Sequence, residues 1–325
     1  MPKPHVCDPA LLDTDLSGKI FIVTGANSGI GWITARQLAQ QGARVIMACR
    51  RVGDAEARIA EARSERPGAK LEARELDLGS LASVRHFAEG FLADHDRLDG
   101  LVNNAGVMNS PAGETVDGFE TQLGINHVGH FLLTDLLLDR LKASAPARIV
   151  NVSSCYHDVA MGRKGDIHLD DIHYETREYD GWEAYAQSKL ANLLHARGLA
   201  KRLEGTGVTA VSVHPGWVRT NLARNSMPLW VQNYVMRPVF RLMGMIEPWE
   251  GAQTSLFALL DPSVEEHAGA YYSQLGMYRD KSCNGGGWPM RSPNPRAHDD
   301  ALGEKLWEAT EAMIAEASSP TRAAA

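Results

Sequence analysis

Short apolar runs alternate with helical patterns along most of this chain of 325 residues. Strands and helices that alternate in this way form βαβ units, and their right-handed crossovers place helices on both faces of a parallel sheet. The pattern therefore predicts an α/β fold with a doubly wound parallel sheet, which binds ligands at the carboxyl ends of its strands. We predict strands at 19–24, 44–49, 71–76, 98–102, 147–153 and 208–214, and helices at 32–41, 54–66, 80–95, 117–143, 182–204 and 297–316.

Composition and charge narrow the classes of function. The chain carries 33 Lys and Arg against 40 Asp and Glu, which argues against a nucleic-acid partner because phosphate contacts need a basic face. Four cysteines without paired spacing indicate neither a disulfide framework nor a metal site. Residues 1–19 lack the apolar core of a signal peptide, and no apolar run reaches the roughly 18 residues of a transmembrane segment. We therefore expect a cytoplasmic protein without a transmembrane segment.

A glycine-rich turn follows the first predicted strand. Its sequence, TGANSGIG at 24–31, lets the backbone approach a pyrophosphate, and the next helix offers free N–H groups and the positive end of its dipole. The spacing G-x-x-x-G-x-G differs from the general G-x-G-x-x-G fingerprint, and a tight strand–helix connection is the alternative. The position of this turn after the first strand of a βα repeat favours dinucleotide binding.

The end of the second predicted strand indicates which dinucleotide binds. Sites for NAD usually place Asp or Glu there to hold the ribose 2′-hydroxyl, whereas a 2′-phosphate is accommodated by an arginine. Here the strand ends in Cys49, Arg50 and Arg51, with no acid. A guanidinium group can hold phosphate with two N–H groups. The sequence therefore favours NADP as the cofactor, with a solvated arginine pair as the alternative.

A tyrosine and a lysine share one face of a predicted helix. Tyr185 and Lys189 lie four positions apart within 182–204, a spacing that makes their side chains neighbours. This YxxxK pattern is common by chance on its own, but here it follows a strand that ends in Ser153 and Ser154.

Several motifs together point to a family. In chain order they are TGANSGIG at 24–31, NNAG at 103–106, NHVG at 126–129, the serine pair, and YAQSK at 185–189. In these motifs the chain resembles the classical short-chain dehydrogenases/reductases, over residues 18–275. It resembles in particular their retinol dehydrogenase-like branch, which is related to protochlorophyllide reductase and WW-domain-containing oxidoreductase. This closer resemblance rests on ACR at 48–50, DGFE at 117–120, NHVGHFLL at 126–133, SKLAN at 188–192, VHPG at 213–216 and GAQTS at 251–255.

The resemblance implies four catalytic residues. Tyr185 matches the general acid/base, and Lys189 matches the residue that, with the oxidised nicotinamide, lowers the pKa of the phenol and holds the nicotinamide ribose. Ser154 matches the residue that hydrogen-bonds the substrate oxygen, and Ser153 is less favoured because successive strand side chains point oppositely. Asn126 matches the residue that keeps a water molecule in the proton relay, with a helix kink as the alternative.

The resemblance also implies the contacts of the cofactor. Asp77 and Leu78 would lie near the adenine, and Thr220 would bind the nicotinamide carboxamide beside Pro215 and Gly216. The residues after the fourth strand would border the adenine and its ribose. The full predicted set of cofactor-binding residues is Gly25, Asn27, Ser28, Gly29, Ile30, Gly31, Arg50, Arg51, Asp77, Leu78, Asn103, Ala105, Gly106, Tyr185, Lys189, Pro215, Gly216 and Thr220.

These inferences predict an NADP-dependent oxidoreductase that interconverts an alcohol and a carbonyl by hydride transfer. Its expected partner is a lipophilic small molecule such as retinaldehyde or a long-chain aldehyde. One alternative is a light-dependent C=C reductase of the protochlorophyllide type, whose members generally have threonine in place of Ser154. The other is a non-catalytic NADPH-binding interaction protein. The resemblance also implies a homo-oligomer formed through the helices at 117–143 and 182–204.

The catalytic domain is expected to take up most of the chain. We predict an N-terminal extension at 1–18, a Rossmann-like NADP-binding and catalytic domain at 19–296, and a C-terminal helix and tail at 297–325. Residues 217–250 interrupt the alternation of elements, and such a long connection is usually functional. The apolar residues of 228–246 predict a lid over the substrate, with peripheral membrane contact or simple cover of the core as alternatives.

Overall fold

The computed structural model describes residues 3–218 and 244–319. Its strands are β1 (Ile20–Thr24), β2 (Arg44–Cys49), β3 (Lys70–Glu75), β4 (Gly100–Asn103), β5 (Ala147–Val152), β6 (Val159–Ala160), β7 (Arg163–Lys164), β8 (Val208–His214), β9 (Tyr271–Ser273) and β10 (Gly287–Met290). Eight of them form one sheet in the order β10-β9-β8-β5-β4-β1-β2-β3, in which only β9 and β10 pair antiparallel. Strands β6 and β7 form a separate ribbon.

Helices cover both faces of this sheet, which confirms the predicted doubly wound α/β fold. The helices are α1 (Pro9–Leu12), α2 (Gly29–Gln40), α3 (Val52–Glu65), α4 (Leu81–Asp94), α5 (Thr121–Leu123), α6 (Gly129–Ala143), α7 (Gly181–Arg202), α8 (Pro248–Leu260) and α9 (Asp300–Ala317). One core lies between the sheet and α4, α6, α7 and α9, and the other lies between the sheet and α2, α3 and α8.

The two cores follow from the alternation of side chains along each strand. Ile22 in β1 and Leu101 in β4 point into the core beneath α4 and α6. Their neighbours Val23 and Val102 point into the core beneath α2 and α8. Because helices cover both faces of the sheet at its centre, β1 has apolar side chains on both faces, whereas the edge strand β3 (Lys70–Glu75) is mostly polar.

The predicted helix at 117–143 is wrong at its start. Gly118 has a φ of +84°, which favours glycine and ends any helical path there. The helix instead begins at Thr121, where the Glu120 carboxylate accepts hydrogen bonds from the backbone N–H groups of Gln122 and Leu123. A single π turn over Gly124–Val128 then leads into α6.

Strands β9 and β10 and the ribbon β6–β7 are additions that the sequence analysis did not predict. Strand β9 has three residues and β10 has four. Strands this short carry too few residues for an alternation pattern to be recognised. Strand β10 contains Pro289, which is tolerated because β10 is an edge strand.

Both ends of the chain pack on the sheet domain. Near the N-terminus, the backbone N–H of Cys7 donates to Gln253 Oε1 in α8 at 2.9 Å. At the C-terminus, Trp307 of α9 lies 4.7 Å from the ring of Phe131 in α6, and the Arg202 guanidinium of α7 stacks on it at 3.8 Å. Helix α9 therefore covers part of the face through which a homo-oligomer was expected, and that expectation stays a prediction.

The segment predicted as a lid lies mostly outside the described residues, as does Thr220. Its two ends, however, are joined. Ile246 donates its backbone N–H to the carbonyl of Trp217 at 2.9 Å, and Val218 pairs with Ile246 in a parallel bridge. Residues 217, 218 and 246 therefore lie side by side, next to Gly216 in the chain. No helix among residues 3–218 and 244–319 is long and apolar enough to cross a bilayer.

The first prediction concerns the core beneath α4 and α6. Leu101 in the central strand β4 is completely buried, so Leu101→Ala should lower the free energy of unfolding by about 2–5 kcal/mol through lost burial and a residual cavity. Urea unfolding monitored by circular dichroism measures this loss. The control is Val116→Ala, because Val116 is 82% exposed and its truncation should change stability by about 0.5 kcal/mol or less. Equal losses in the two variants would contradict the assigned core.

Candidate active site

Four strands of the sheet end at one edge, and the predicted site residues follow them. The glycine turn follows β1, the Asn103–Gly106 turn follows β4, Ser154 follows β5, and Pro215 follows β8. These strands are parallel, so their carboxyl ends open onto one crevice, which is where open α/β sheets bind their ligands.

The glycine turn packs closely against the turn after β4. A Cβ placed on Gly25, whose φ is +65°, would lie 2.9 Å from Cα of Ala105. A Cβ on Gly31 would lie 2.5 Å from Nδ2 of Asn104. Glycine is therefore required at both positions. Ser28 is the N-cap of α2 without a side-chain capping hydrogen bond, which leaves N–H groups of the first helical turn for an anionic ligand.

The two arginines after β2 have different surroundings. Arg51 Nε lies 2.8 Å from Asp54 Oδ2, and Asn27 also reaches Asp54, at 3.5 Å. Arg50 is exposed and forms no ion pair within the part of the chain that the structure describes. Arg50 is therefore the arginine whose guanidinium is available to a phosphate group.

The turn after β3 lies next to the arginine pair in the sheet. Asp77 Oδ1 accepts the backbone N–H of Gly79 at 2.9 Å, and the Asp77 N–H donates to Ser83 Oγ at 3.0 Å. Leu78 is buried, and a Cβ on Gly129 of α6 would collide with its carbonyl. These contacts fix the backbone of the turn at the edge where the adenine was expected.

Asn103 does not present its side chain to the site. It is buried, and its Nδ2 donates to Thr134 Oγ1 at 2.9 Å and to Asn151 Oδ1 at 2.8 Å. Only its main chain is left for the expected contact with the adenine ribose. Asn104 also has a structural role, because its Nδ2 donates to the carbonyl of Thr24 at 2.8 Å. Ala105 and Gly106 line the turn itself.

The two serines after β5 point in different directions, as strand geometry predicts. Ser153 Oγ donates to the carbonyl of Lys189 at 2.7 Å and so ties β5 to α7. Ser154 has extended backbone angles, and its hydroxyl accepts the N–H of Tyr156 at 3.2 Å. The same hydroxyl interacts with the Tyr185 phenol.

Tyr185 and Lys189 are both buried on the face of α7 that packs against β5. The Asp180 carboxylate caps this helix by accepting the N–H groups of Trp182 and Glu183. Lys189 Nζ lies 5.6 Å from the centroid of the Tyr185 ring and donates to the carbonyl of Val152 at 3.0 Å. Because that carbonyl is the one acceptor described for an ammonium group with three N–H bonds, Lys189 has donor capacity left for a ligand.

Burial dominates the ionisation of this pair. It raises the pKa of Tyr185, an effect that the Ser154 hydroxyl partly offsets, and it lowers the pKa of Lys189 to about 8. Lys189 was expected to lower the pKa of the phenol together with an oxidised nicotinamide. Among the protein's own groups, desolvation is stronger, so Tyr185 is held as the neutral phenol.

Known proteins resemble this chain in sequence and in fold. A family profile described as short chain dehydrogenase matches residues 19–164. Retinol dehydrogenase 12 of Homo sapiens is 46% identical, over 91% of this chain and 86% of its own. An uncharacterised protein from Mycobacterium paratuberculosis has a crystal structure that is similar at a TM-score of 0.72 and 35% identity, covering 96% of this chain and 98% of that chain. The RhlG/NADP active-site complex of Pseudomonas aeruginosa aligns at a TM-score of 0.63 and 27% identity, covering 82% and 97%.

The chain belongs to the short-chain dehydrogenase/reductase family. Its similarity to retinol dehydrogenases places it in the retinol dehydrogenase-like branch, which confirms the resemblance noted from the motifs. As a member of this branch it is an oxidoreductase of alcohol and carbonyl groups.

In this short-chain dehydrogenase/reductase, Asn126 lies in the π turn and not in a regular helix. Its amide group forms hydrogen bonds with the N–H and the carbonyl of Val107 and with Ser188 Oγ, at 2.8–3.0 Å. A Cβ on Gly106 would lie 2.9 Å from Asn126 Oδ1 and 3.5 Å from Lys189 Nζ. The structure therefore brings Asn126, Gly106 and Lys189 together, with the Asn126 side chain already paired.

A chain of hydrogen bonds links three turns of the enzyme, and the donor and acceptor of each bond can be assigned. The Asn126 carbonyl can only accept, so His130 Nδ1, at 3.0 Å, carries the hydrogen, and Nε2 must accept one. Thr24 Oγ1 supplies that hydrogen at 2.8 Å and accepts the N–H groups of Asn104 and Ala105, both at 2.9 Å. His130 thereby fixes the glycine turn, the turn after β4 and the π turn relative to one another.

Two aromatic side chains beside Tyr185 were missed in the sequence analysis. The Tyr156 ring lies edge-on to Tyr185 with 6.1 Å between centroids, and Trp182 lies edge-on to Tyr156 at 5.6 Å. Trp182 precedes Tyr185 by three positions on one helix, so the helical spacing could have indicated it. Tyr156 gave no such signal, because it reaches the site through the fold of the turn after β5.

The second prediction concerns five buried histidines of this enzyme. Burial lowers the pKa of His127 and His157 to about 4 and of His130 and His214 to about 3, and it also lowers that of His195. A histidine in the unfolded chain has a pKa of about 6.5. Below that pH it binds a proton, whereas the buried histidine of the folded protein stays neutral. Stability should therefore be full above pH 6.5 and should fall as the pH drops from there towards 4, by up to about 1.4 kcal/mol per pH unit for each histidine.

Urea unfolding at a series of pH values measures this slope. His127→Asn should reduce the slope of unfolding free energy against pH by the contribution of one buried histidine. His267→Asn, at an exposed position, should leave that slope unchanged. An unfolding free energy that stays constant from pH 7 to pH 5 would contradict the neutral buried histidines.

Proposed function

We propose that this protein is an NADP-dependent oxidoreductase that interconverts a lipophilic alcohol and its carbonyl compound. The observation that carries the proposal is the arrangement at the end of β5, where the Ser154 hydroxyl and the Lys189 ammonium flank the buried phenol of Tyr185. These three groups can bind one carbonyl oxygen, protonate it and stabilise the charge that results.

The residues at the sheet edge fit a dinucleotide. The close approach of the turns at Gly25 and Gly31 leaves a backbone cradle that any side chain would fill, and the N–H groups at the start of α2 suit a pyrophosphate. The buried ammonium of Lys189 has donors left for a ribose hydroxyl. Asp77 and Leu78 lie where an adenine would reach the turn after β3. When bound, the nicotinamide would supply or accept the hydride.

Arg50 supports NADP as the preferred cofactor. Its guanidinium is exposed at the end of β2, whereas Arg51 is engaged with Asp54. A 2′-phosphate can accept two charge-assisted hydrogen bonds from such a group. The RhlG relative was solved as an NADP complex, which agrees with this preference.

The chain's own groups divide the work of carbonyl reduction. Ser154 donates a hydrogen bond to the carbonyl oxygen and orients it toward Tyr185. Tyr185 then transfers its phenolic proton to the same oxygen, a role that suits a phenol kept neutral by burial. The Lys189 ammonium, 5.6 Å from the ring centroid, stabilises the phenolate left behind. Oxidation of the alcohol runs through the same groups in reverse.

Apolar side chains around Tyr185 support a lipophilic substrate. The Tyr156 ring lies edge-on to the Tyr185 ring, and the Trp182 ring lies edge-on to that of Tyr156. Met161 is 60% exposed and contacts the Tyr156 hydroxyl through its sulfur at 3.9 Å. An exposed methionine beside aromatic rings forms an adaptable apolar surface, which suits retinaldehyde or a long-chain aldehyde.

The third prediction tests the proton donor. Tyr185→Phe should lower kcat for carbonyl reduction by about 10²–10⁴-fold because the phenolic proton is lost. NADPH affinity, followed by protein fluorescence, should change little. The matched control is Tyr156→Phe, which removes a hydroxyl that contacts Met161, and this variant should keep its activity. Turnover of Tyr185→Phe within tenfold of the wild type would refute the assignment. Tight NADPH binding by the wild type without turnover of any retinoid, sterol, quinone or alkyl carbonyl would favour a non-catalytic role.

The fourth prediction tests the cofactor preference. Arg50→Asp should lower kcat/KM for NADPH relative to NADH by roughly 10–100-fold, because a charge-assisted hydrogen bond is lost and a like charge faces the 2′-phosphate. Arg51→Asp is the matched control, and its effect on the ratio should be smaller because Arg51 already pairs with Asp54. A larger effect at Arg51 would transfer the phosphate contact to that residue.

A further inference from the structure

The turn that carries Ser154 is held from behind by a segment near the end of the chain. Residues Cys155–His157 form a single 3-10 turn after Ser154. His157 is completely buried at the end of that turn. Its ring contacts Ser292, which lies 135 positions away in the irregular stretch 277–296. The catalytic mechanism proposed above uses none of these contacts.

Only one assignment of donors and acceptors is possible for the hydrogen bonds of the His157 ring. The Ser154 carbonyl can only accept, so Nδ1 of His157, at 2.6 Å, must carry the hydrogen. Burial keeps the ring neutral, because it lowers the pKa of His157 to about 4. Nε2 is therefore an acceptor, and the Ser292 hydroxyl donates to it at 2.6 Å. Ser292 Oγ in turn accepts the N–H of Asn294 at 3.1 Å.

The carbonyl of Ser154 is thus fully engaged. It accepts the backbone N–H of His157 at 3.0 Å as well as the ring N–H. These two bonds fix the peptide that follows Ser154. Within the same turn, the backbone N–H of Tyr156 donates to the Ser154 hydroxyl at 3.2 Å. The position of the hydroxyl therefore depends on a turn that the His157 ring holds in place.

Residues of the stretch 277–296 form hydrogen bonds with this turn at two further points. Asn294 Nδ2 donates to the carbonyls of His157 at 2.6 Å and Gly165 at 2.9 Å. The buried carboxylate of Asp158 accepts two hydrogen bonds from the Arg279 guanidinium and one from its backbone N–H, at 2.7–2.9 Å. The stretch therefore contacts the turn through charged, amide and hydroxyl groups together.

We propose that His157 is a positioning residue for Ser154, and that Ser292 orients it for this task. The ring holds the Ser154 carbonyl, the turn then holds the Ser154 hydroxyl beside Tyr185, and the stretch 277–296 thereby maintains the geometry of the active site. This inference rests on the proposed function, because it assigns Ser154 a part in catalysis.

Two amide substitutions of His157 distinguish the contact made by Nδ1 from the contact made by Nε2. In His157→Asn, the amide nitrogen lies where Nδ1 lies and can still donate to the Ser154 carbonyl. In His157→Gln, the longer amide reaches Ser292 in place of Nε2 and leaves the Ser154 carbonyl without its side-chain donor. At Ser292, alanine removes the hydroxyl and threonine keeps it.

The proposal predicts opposite results within each pair. His157→Gln and Ser292→Ala should lower kcat about tenfold or more through misplacement of Ser154, with KM for NADPH unchanged. His157→Asn should stay near the wild-type kcat, because an amide nitrogen always carries hydrogen and needs no Ser292 hydroxyl to fix a tautomer. Ser292→Thr should also stay near it, because threonine keeps the hydroxyl that donates to Nε2. Equal kcat values for His157→Asn and His157→Gln, or a loss in all four variants that follows their melting temperatures, would overturn the positioning role.

A second measurement does not depend on turnover. Nitrogen-15 NMR of histidine-labelled wild-type protein should show His157 as the Nδ1–H tautomer, and Ser292→Ala should shift its Nε2 resonance. An Nε2–H tautomer would overturn the inference even if the enzyme is active. An inactive wild type with the Nδ1–H tautomer and the expected shift would count against the proposed function while supporting the contact between His157 and Ser154.

Discussion

The burial of the Lys189 ammonium is the constraint around which the active site is organised. A charged group removed from water needs hydrogen-bond partners, and the described partner of Nζ is the carbonyl of Val152 at the end of β5. That carbonyl also accepts Nδ2 of Asn192, and the carbonyl of Lys189 accepts the Ser153 hydroxyl. These hydrogen bonds hold helix α7 and strand β5 together beside Tyr185 and Ser154, and so set where these two candidate catalytic residues lie.

Neutral polar side chains fix the backbone turns around the site through hydrogen bonds. His130 and His157 each carry one hydrogen on Nδ1 and give it to a backbone carbonyl, that of Asn126 and that of Ser154. Each accepts a hydroxyl hydrogen at Nε2, from Thr24 and from Ser292. The two networks therefore have the same arrangement of donors and acceptors. An imidazole is suited to this because, while neutral, it bridges a donor and an acceptor in fixed directions.

Local patterns predicted the fold correctly and indicated candidate site residues, but they could not predict orientations that depend on distant contacts. Residues 45–49 of β2 are all apolar and buried, so the position of this strand was predicted accurately. The spacing of Tyr185 and Lys189 indicated a shared helix face, and the structure brings their side chains to one place. The inward orientation of Asn103, by contrast, depends on Thr134 and Asn151 from other elements. No window of sequence around Asn103 contains that information.

The closed base of the segment that begins after Val218 has a consequence for how such enzymes diversify. The hydrogen bond from Ile246 to Trp217 joins the two flanks of this connection beside Gly216, so the distance between its ends is set by residues that the structure describes. Doubling the length of a loop whose ends are already joined costs only about 0.6 kcal/mol of closure entropy. Insertions, deletions and exchanges can therefore accumulate there at little expense to folding. Such changes would leave unaltered β5 and α7, which position the proposed catalytic residues.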